Sequence, residues 1–302
     1  MGKITDYGQV SSILASNIFL LDGSAGTKKI LASDLAKGLA GLTDNDTFFA
    51  MLDEIGSPNL HRMIYRGKNL GTSLTTEQKA QISAGTFKGL WLGDYWVIGG
   101  VNYVIADFDY WYNCGDDGHV FNRHHIVVIP SGNMYSAKMN ETNTTEGGYY
   151  GSAMRGLEVE GTFTPYAEGC GLYNALTSFQ AAFGTALLTH REYLVNAVTD
   201  GKPSGGAWFD SIVDLPNEVM IYGSHIFTPA NNGATIPTRY TINNSQLALM
   251  QAHPKFFKGS RQYMWLRDVV SASFFAAVGG NGLADSSSAS LSRGVRPVGA
   301  VG

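Results

Sequence analysis

The side chains most able to do chemistry are concentrated between residues 107 and 125. This stretch carries four aspartates and three histidines, which are Asp107, Asp109, Asp116, Asp117, His119, His124 and His125. Carboxylates and imidazoles can bind a metal ion or act as a general acid and base. Their spacing matches neither the His-Glu-x-x-His helix nor a calcium-binding loop. We therefore predict no metal, no cofactor and no catalytic residue, and keep hydrolysis at this cluster as the alternative.

A second candidate is the sequence Asp214-Leu215-Pro216-Asn217-Glu218. Its Pro-Asn pair resembles the signature by which calcium-dependent lectins hold a sugar, and its carboxylate and amide oxygens suit a hard cation. The match is short, and no second group of ligands accompanies it in the sequence. We interpret this segment as structural.

Two arginines near the C-terminus, Arg267 and Arg296, are the next candidates. Nucleophilic catalysis would need a serine or cysteine beside an oriented base, and the chain contains no Gly-x-Ser-x-Gly elbow. We predict instead that both arginines are framework residues. Their forked donors would tie loop carbonyls, or carboxylates such as Asp268 and Glu192, into one network.

The burial of the tryptophans and the state of the cysteines are predicted from the residues next to them in the sequence. Trp91 and Trp96 belong to an apolar strand and are predicted to be core, whereas Trp111 follows in a loop and is the better candidate for exposure. Cys114 and Cys170 are both flanked by glycine. We expect these two residues to lie in turns and to remain thiols.

Composition limits the class of protein. Charged residues are only 15% of the chain, while 37 residues are glycine and 12% are aromatic, which favours a rigid, turn-rich body containing β-structure. The net charge of −4 and a pI near 6.0 provide no basic field for nucleic acid. We also expect no membrane insertion, because no apolar run is long enough to span a bilayer, and no secretory route, because the start lacks a signal-peptide core.

The first 42 residues are predicted to attach the chain to something else. Two short apolar runs, 17–22 and 27–31, are separated by a glycine-containing turn, and a short helix is expected at 35–39. A hairpin and one helix are too small to be stable alone. We therefore predict that residues 1–42 form an attachment or oligomerisation segment, completed by another chain or by the main body.

Residues 43–90 are predicted to be a helical connector, with helices at 47–55 and 75–82. From there the pattern changes to strands and loops, so residues 91–302 are predicted to be one α+β body. The elements expected in it are a hairpin at 91–98 and 101–106, a central strand at 124–130, helices at 172–182 and 189–198, and a buried strand within 213–227 that is centred on 218–222.

The last 38 residues, 265–302, have an unusual distribution of side-chain size. They begin with Trp265-Leu266-Arg267-Asp268 and later contain Gly294-Val295-Arg296-Pro297, whereas the stretch between is mostly Ser, Ala, Gly and Asn. From Val269 to Val295 there is no Lys, Glu, Gln, Met or Trp. This pattern predicts strands and turns fixed at both ends to a larger body, with a permissive surface between them.

The stretch Trp265-Leu-Arg-Asp-Val-Val-Ser-Ala-Ser273 and the Gly294–Pro297 motif resemble the C-terminal end of phage and prophage proteins with a C-type-lectin-like fold. Shorter matches occur upstream, at residues 93–96, 109–111, 143–149, 188–194 and 237–240. Some of these proteins are the variable, target-binding proteins of diversity-generating retroelements. Their randomised codons cannot encode Lys, Glu, Gln, Met or Trp. The same fold resembles that of formylglycine-generating enzymes, but neither cysteine has a spacing that would carry over that activity.

The resemblance implies a set of ligand-binding positions that obey this codon restriction. They are Phe274, Ala277, Gly279, Gly280, Asn281, Leu283, Asp285, Ser286, Leu291 and Arg293. A position meant to vary must lie outside the core, because volume changes in a core cost about 1–5 kcal/mol. We therefore expect most of these side chains to be exposed on one face, and the frame residues Trp265, Leu266, Val295 and Pro297 to be buried.

The function implied is that of a non-enzymatic receptor-binding protein in a phage virion, at a tail tip, fibre or capsid surface. The expected partners are a host cell-surface protein or glycan and, through residues 1–42, other virion proteins. A homotrimer is the expected oligomer. The alternatives are a hydrolytic virion appendage that acts on host polysaccharide and a purely structural decoration protein.

Overall fold

A computed structural model describes residues 18–21, 28–31, 45–55, 58–228, 244–258 and 261–302. The chain divides into two units, Met1–Leu60 and His61–Gly302. The larger unit thus includes residues 61–90, which the sequence pattern assigns to the connector.

The smaller unit contains a β-hairpin and a helix. Strands β1 (Ile18–Leu21) and β2 (Lys28–Leu31) pair antiparallel, which confirms the predicted hairpin. Helix α1 (Asn45–Ile55) confirms the helix predicted at 47–55. The helix predicted at 35–39 lies outside the described residues.

The next two helices are α2 (Pro58–Met63) and α3 (Thr76–Ser83). The N-cap of α3 is Thr75, whose side chain accepts a hydrogen bond from the Gln78 backbone N–H, while the Gln78 side chain accepts one from the Thr75 N–H. This reciprocal capping box explains why the sequence pattern located the helix correctly.

A six-stranded antiparallel sheet forms the centre of the larger unit. Its order is β12 (Val213–Asp214), β17 (Val298–Val301), β5 (Ile126–Pro130), β4 (Val101–Phe108) and β3 (Tyr95–Ile98), and β9 (Leu187–Leu188) also pairs with β17. All five residues of β5 are buried, which confirms the predicted central strand. The β3–β4 turn is Gly99-Gly100, with φ of 58° and 81°, as a two-residue turn with positive φ at both positions requires.

A five-stranded sheet carries the C-terminal segment. Its order is β15 (Ala284–Ser288), β14 (Phe274–Val278), β13 (Met264–Val269), β16 (Ser292–Val295) and β6 (Tyr135–Lys138). Strand β14 is covered on both faces, because Ala276 and Val278 pack into one hydrophobic cluster and Phe275 and Ala277 into another. The segment is thus anchored in the core along its centre.

The remaining elements are two hairpins and short helices. The hairpins are β7 (Gly156–Val159) with β8 (Thr162–Pro165) and β10 (His190–Thr199) with β11 (Lys202–Ser211). The helices are α4 (Tyr173–Phe183), α5 (Glu218–Tyr222), α6 (Ala248–Ala252) and α7 (Lys255–Lys258). Within the described ranges no helix is long and apolar enough to cross a bilayer. Strands and helices together give a mixed α+β architecture, as predicted.

Two predicted elements are wrong. Residues 189–198 form strand β10 rather than a helix, because Asp200-Gly201, with φ of 51° and 72°, makes a tight turn that pairs β10 with β11. Residues 218–222 form helix α5 rather than a strand. Asn217 caps the start of this helix and Gly223, with φ of 81°, ends it.

Candidate functional site

The frame of the C-terminal segment is buried, as predicted. Trp265, Leu266 and Val295 have no exposed surface, and Pro297 is also buried. The Trp265 indole N–H donates to the Ala137 carbonyl at 2.9 Å. These contacts fix strand β13 and the β16–β17 connection against the rest of the body.

Gly294 is required at its position in this frame motif because two backbones come close together there. Its backbone N–H donates to the Tyr263 carbonyl at 3.0 Å, next to the point where β16 pairs in parallel with β13. A Cβ at this position would overlap the side-chain amide of Asn133 and lie 2.6 Å from the Tyr263 carbonyl oxygen. Only glycine therefore allows the two backbones to approach this closely.

Arg296 has the predicted framework role. Its Nε and Nη2 donate to the carbonyls of Pro130 and Ser131, at 2.6 and 2.8 Å, and its guanidinium lies 4.3 Å from the ring centre of Phe256. Burial lowers the pKa of Arg296 to about 9. The side chain thereby ties the C-terminal strand to the end of β5.

Arg267 is also a framework residue, and its partner is Glu192. The Arg267 Nη2 donates to Glu192 Oε2 at 2.8 Å, and the Trp111 indole N–H donates to Glu192 Oε1 at 3.0 Å. Burial alone would raise the pKa of Glu192, but the charges and hydrogen bonds of Arg267 and His190 together outweigh it, and the pKa falls to about 2. The network joins β10 to β13, as the sequence predicted, although β10 is not the helix expected.

Two further buried acidic residues, Asp268 and Glu218, lie close to this network. Asp268 Oδ2 accepts the Glu218 backbone N–H at 2.7 Å, and burial together with the Glu218 charge raises the pKa of Asp268 to about 7. The Glu218 carboxylate itself accepts the backbone N–H groups of Ile226, Phe227 and Thr228. It therefore anchors the loop that follows α5.

The Pro-Asn motif has a structural role, as interpreted from the sequence. The Asn217 side chain accepts the Met220 backbone N–H at 2.7 Å and so caps α5, while Glu218 holds the following loop. No group of three or more His, Cys, Asp or Glu side chains suited to a metal ion occurs in the part of the chain that the structure describes.

Most of the ten candidate positions lie toward one or the other end of the β14–β15 hairpin, so they do not share the single face expected from the sequence. At one end, Phe274 lies opposite Ser288, whose carbonyl accepts the Leu291 N–H at 2.9 Å. Phe274 is 37% exposed and Leu291 is 45% exposed. The loop at 141–146 borders this end, because the Asn143 side chain accepts a hydrogen bond from the Ser290 hydroxyl.

At the other end, a tight turn presents Leu283, which is 59% exposed. The turn is closed by hydrogen bonds from the Gly279 N–H to the Leu283 carbonyl and from the Gly282 N–H to the Gly279 carbonyl, both at 2.8 Å. Asn281 is exposed, and its side chain accepts the Leu283 N–H. The partly buried Gly280 and Asp285 complete this end, whereas the partly buried Ser286 lies opposite Ala276 in the middle of the hairpin. Five residues separate the two ends, which is about 16 Å along a strand.

Arg293 lies on β16, half-buried beneath the hairpin. Its Nε donates to the Ser287 hydroxyl at 2.8 Å, and its guanidinium lies 4.3 Å from the ring centre of Tyr263. Two candidates, Ala277 and Gly279, are buried, contrary to the expected exposure. Ala277 pairs with Trp265 across β13 and β14, so alternation places its side chain in the core.

The Asp/His cluster is distributed among structural contacts. Asp107 is fully buried, pairs with Arg62 and accepts the Ala248 backbone N–H at 2.9 Å. His125 is fully buried, accepts the Trp111 N–H through Nε2 and donates through Nδ1 to the Arg123 carbonyl. Burial lowers the pKa of His125 to about 3, so the ring is neutral.

The rest of the cluster lies nearer the surface. Asp116 pairs with Arg191 at 2.8 Å, and Asp117 and His119 are exposed. Asp109 Oδ2 lies 2.8 Å from His124 Nδ1, and both side chains are partly exposed. The side chains of Asp109 and His124 can therefore still be reached by a ligand from the solvent.

The aromatic predictions have mixed outcomes. Trp91 and Trp96 are fully buried, as predicted, but Trp111 is buried too. Its ring stacks on His190 with centroids 3.9 Å apart, because its indole N–H is committed to Glu192 in the core. Its neighbour Tyr112 is the exposed aromatic of this loop. Cys114 and Cys170 are buried free thiols.

Sequence reasoning missed a buried network around Asp214. This carboxylate accepts hydrogen bonds from the Arg155 Nε at 3.2 Å and from the Tyr149 hydroxyl at 2.8 Å. A water-sized cavity of about 10 Å³ lies beside Tyr149, Arg267 and Asp268, too small for a ligand. Arg155 and Tyr149 lie in polar, glycine-rich sequence, so the local sequence carries no signal that they are buried.

Comparisons with known proteins give no relative for this chain: no family model, no curated protein and no solved structure matches it.

Proposed function

We propose that this chain is a receptor-binding protein of a phage or prophage virion, with a C-type-lectin-like body that presents its C-terminal segment to the host. One observation carries the proposal. The frame at 264–269 and 294–301 is buried, whereas eight of the ten candidate positions are exposed or partly exposed. We call these eight positions the display surface: Phe274, Gly280, Asn281, Leu283, Asp285, Ser286, Leu291 and Arg293.

The display surface has the chemistry that protein recognition favours. Phe274, Leu283 and Leu291 are large apolar side chains with substantial exposure, and each is attached to hydrogen-bonded backbone. Aromatic and arginine side chains are the strongest anchors at interfaces. Because the strands are already ordered, binding would cost little additional backbone entropy. Phe274 and Arg293 are therefore the expected anchors, with the two leucines as apolar support.

The remaining assignments follow from this role. The partner of the display surface is a host cell-surface protein or glycan, and the protein is located in the virion. Residues 1–42 attach it to other virion proteins or to further copies, most simply in a trimer. The β1–β2 hairpin supports this part of the proposal, because an isolated two-stranded hairpin is at best marginally stable.

The hydrolytic alternative needs the Asp/His cluster as an active site. Asp107 and His125 are fully buried and their polar atoms already hold Arg62, Ala248 and Trp111. These contacts favour a structural role for both residues. A structural decoration protein remains the alternative in which no specific host ligand exists.

Binding to bacterial cells tests the proposal. Fluorescently labelled protein is titrated onto a panel of bacterial strains, first as wild type and then as the double variant Phe274→Ala and Arg293→Ala. The matched control is Val159→Ala, because Val159 is 46% exposed on the separate β7–β8 hairpin. We expect saturable binding to at least one strain, weakened more than tenfold by the double variant and unchanged by the control.

Two results would contradict the proposal. Saturable binding that survives the double variant would place recognition elsewhere. Release of reducing sugar from a bound strain, abolished by His124→Gln, would favour the hydrolytic alternative.

A further inference from the structure

The backbone at Asp109 adopts a conformation that is uncommon for a residue with a side chain. Its φ is 52°, in the left-handed region. The conformation is held from both sides, since the Asp109 N–H donates to the His125 carbonyl and Asp109 Oδ1 accepts the His125 N–H, both at 2.9 Å. Strained residues that are fixed by their surroundings concentrate at functional sites.

This backbone conformation directs the second carboxylate oxygen of Asp109 toward His124. Oδ2 lies 2.8 Å from His124 Nδ1. The imidazole stacks on the Tyr112 ring, with centroids 4.8 Å apart and planes 12° apart. It also lies so close to Gly85 that a Cβ there would be 2.7 Å from its Cε1 and Nε2 atoms. Three contacts therefore fix the orientation of the ring.

The three side chains remain accessible. The exposed fractions are 27% for the Asp109 side chain, 36% for that of His124 and 36% for Tyr112. Among the described residues, no hydrogen bond uses His124 Nε2. The surface thus offers a carboxylate, an imidazole nitrogen and an aromatic face in one fixed arrangement.

We propose that Asp109, Tyr112 and His124 form a saccharide-binding site, separate from the display surface. A sugar ring has an apolar C–H face that packs on the electron-rich face of Tyr112. Neighbouring hydroxyl groups of the sugar can donate to the Asp109 carboxylate and form a hydrogen bond with His124 Nε2. Both oxygens of the Asp109 carboxylate already take part in a hydrogen bond, with His124 Nδ1 and with the His125 N–H. Ligand hydroxyl groups that add one further hydrogen bond therefore suit the site better than a cation, which would need these oxygens as its ligands.

The site is independent of the proposed function. None of its residues lies within 263–295, and the contacts described above come from the segment 109–125 and from Gly85. Failure of host-cell binding through the display surface would therefore leave this inference standing, and the reverse also holds.

Histidine NMR signals test the site directly. The full chain, labelled with ¹³C in its seven histidines, is titrated with the methyl glycosides of glucose, galactose, mannose and N-acetylglucosamine. At least one glycoside should shift the His124 Cε1 signal in a saturable way. Tyr112→Ala and Asp109→Asn should each weaken this binding at least tenfold. Asparagine tolerates the left-handed conformation, so Asp109→Asn should preserve the turn.

Tyr65→Ala is the matched control. Tyr65 is 43% exposed and stacks on His253, with centroids 4.9 Å apart and planes 17° apart. The control should therefore bind as the wild type does, with unchanged tryptophan fluorescence in all variants. No glycoside response at His124, or a response that survives both Tyr112→Ala and Asp109→Asn, would overturn the proposal. A response to choline with none to glycosides would also overturn it, because the site would then be one for cations.

Discussion

Asp268→Asn should stabilise the protein progressively as the pH rises. Asp268 is buried beside Glu218, and its pKa is raised from 3.8 to about 7. The folded protein therefore keeps a proton that the unfolded chain has released between about pH 4 and pH 7. Stability attributable to this group is complete below about pH 4 and declines as the pH rises to about 7. The difference between the two pKa values corresponds to roughly 4 kcal/mol at most.

The variant removes this dependence while preserving the local hydrogen bond. An asparagine Oδ1 can still accept the Glu218 N–H that Asp268 Oδ2 accepts at 2.7 Å. The free energy of unfolding of Asp268→Asn relative to wild type should therefore increase by up to about 4 kcal/mol between about pH 4 and pH 8. A difference between variants also cancels the opposite contribution of His125, whose pKa is lowered to about 3.

Urea unfolding followed by tryptophan fluorescence provides the measurement. All five tryptophans lie between residues 91 and 265, so the signal reports the larger unit. Asp200→Asn, at an exposed position, controls for the loss of one negative charge. A stability difference that stays constant across this pH range, or that favours wild type more at high pH, would refute the reasoning.

Three further predictions concern the frame and the first segment. Glu192→Gln should destabilise the larger unit by about 3–5 kcal/mol in urea unfolding, since Arg267 would lose the carboxylate that balances its buried charge; a loss below about 1 kcal/mol would contradict this. Gly294→Ala should cost about 1–3 kcal/mol by overpacking, whereas Gly132→Ala, where a Cβ meets nothing within 4 Å, should be nearly neutral. Deleting residues 1–42 should leave the near-UV circular dichroism of the larger unit intact and abolish incorporation into virions; loss of the near-UV signal would assign the segment to the body.

Local turn and capping chemistry determined how far the fold could be predicted. Gly99-Gly100 specified the β3–β4 hairpin and the Thr75 capping box specified α3, because each signal is contained within a few residues. The same kind of signal was overlooked at Asp200-Gly201 and Asn217. The errors at β10 and α5 followed directly, because the apolar residues there fit a helix or a strand equally well.

The candidate site was only partly predictable for a different reason. Burial of the frame followed from the size of Trp265 and Leu266, whereas burial of Ala277 depends on β14 being covered on both faces. The burial of Trp111 likewise depends on a partner that is distant in the sequence, the Glu192 carboxylate. Such long-range pairings have no local signature in the sequence.

The central claim is that a buried frame carries accessible side chains that choose the partner. One library tests it, in which Phe274, Leu283, Leu291 and Arg293 are randomised together and each clone is scored for its unfolding midpoint and for binding to the strain that wild type recognises. Most clones should unfold near the wild-type midpoint and bind at least tenfold more weakly. A library in which most clones fail to fold, or in which most fold and bind as wild type does, would contradict the claim.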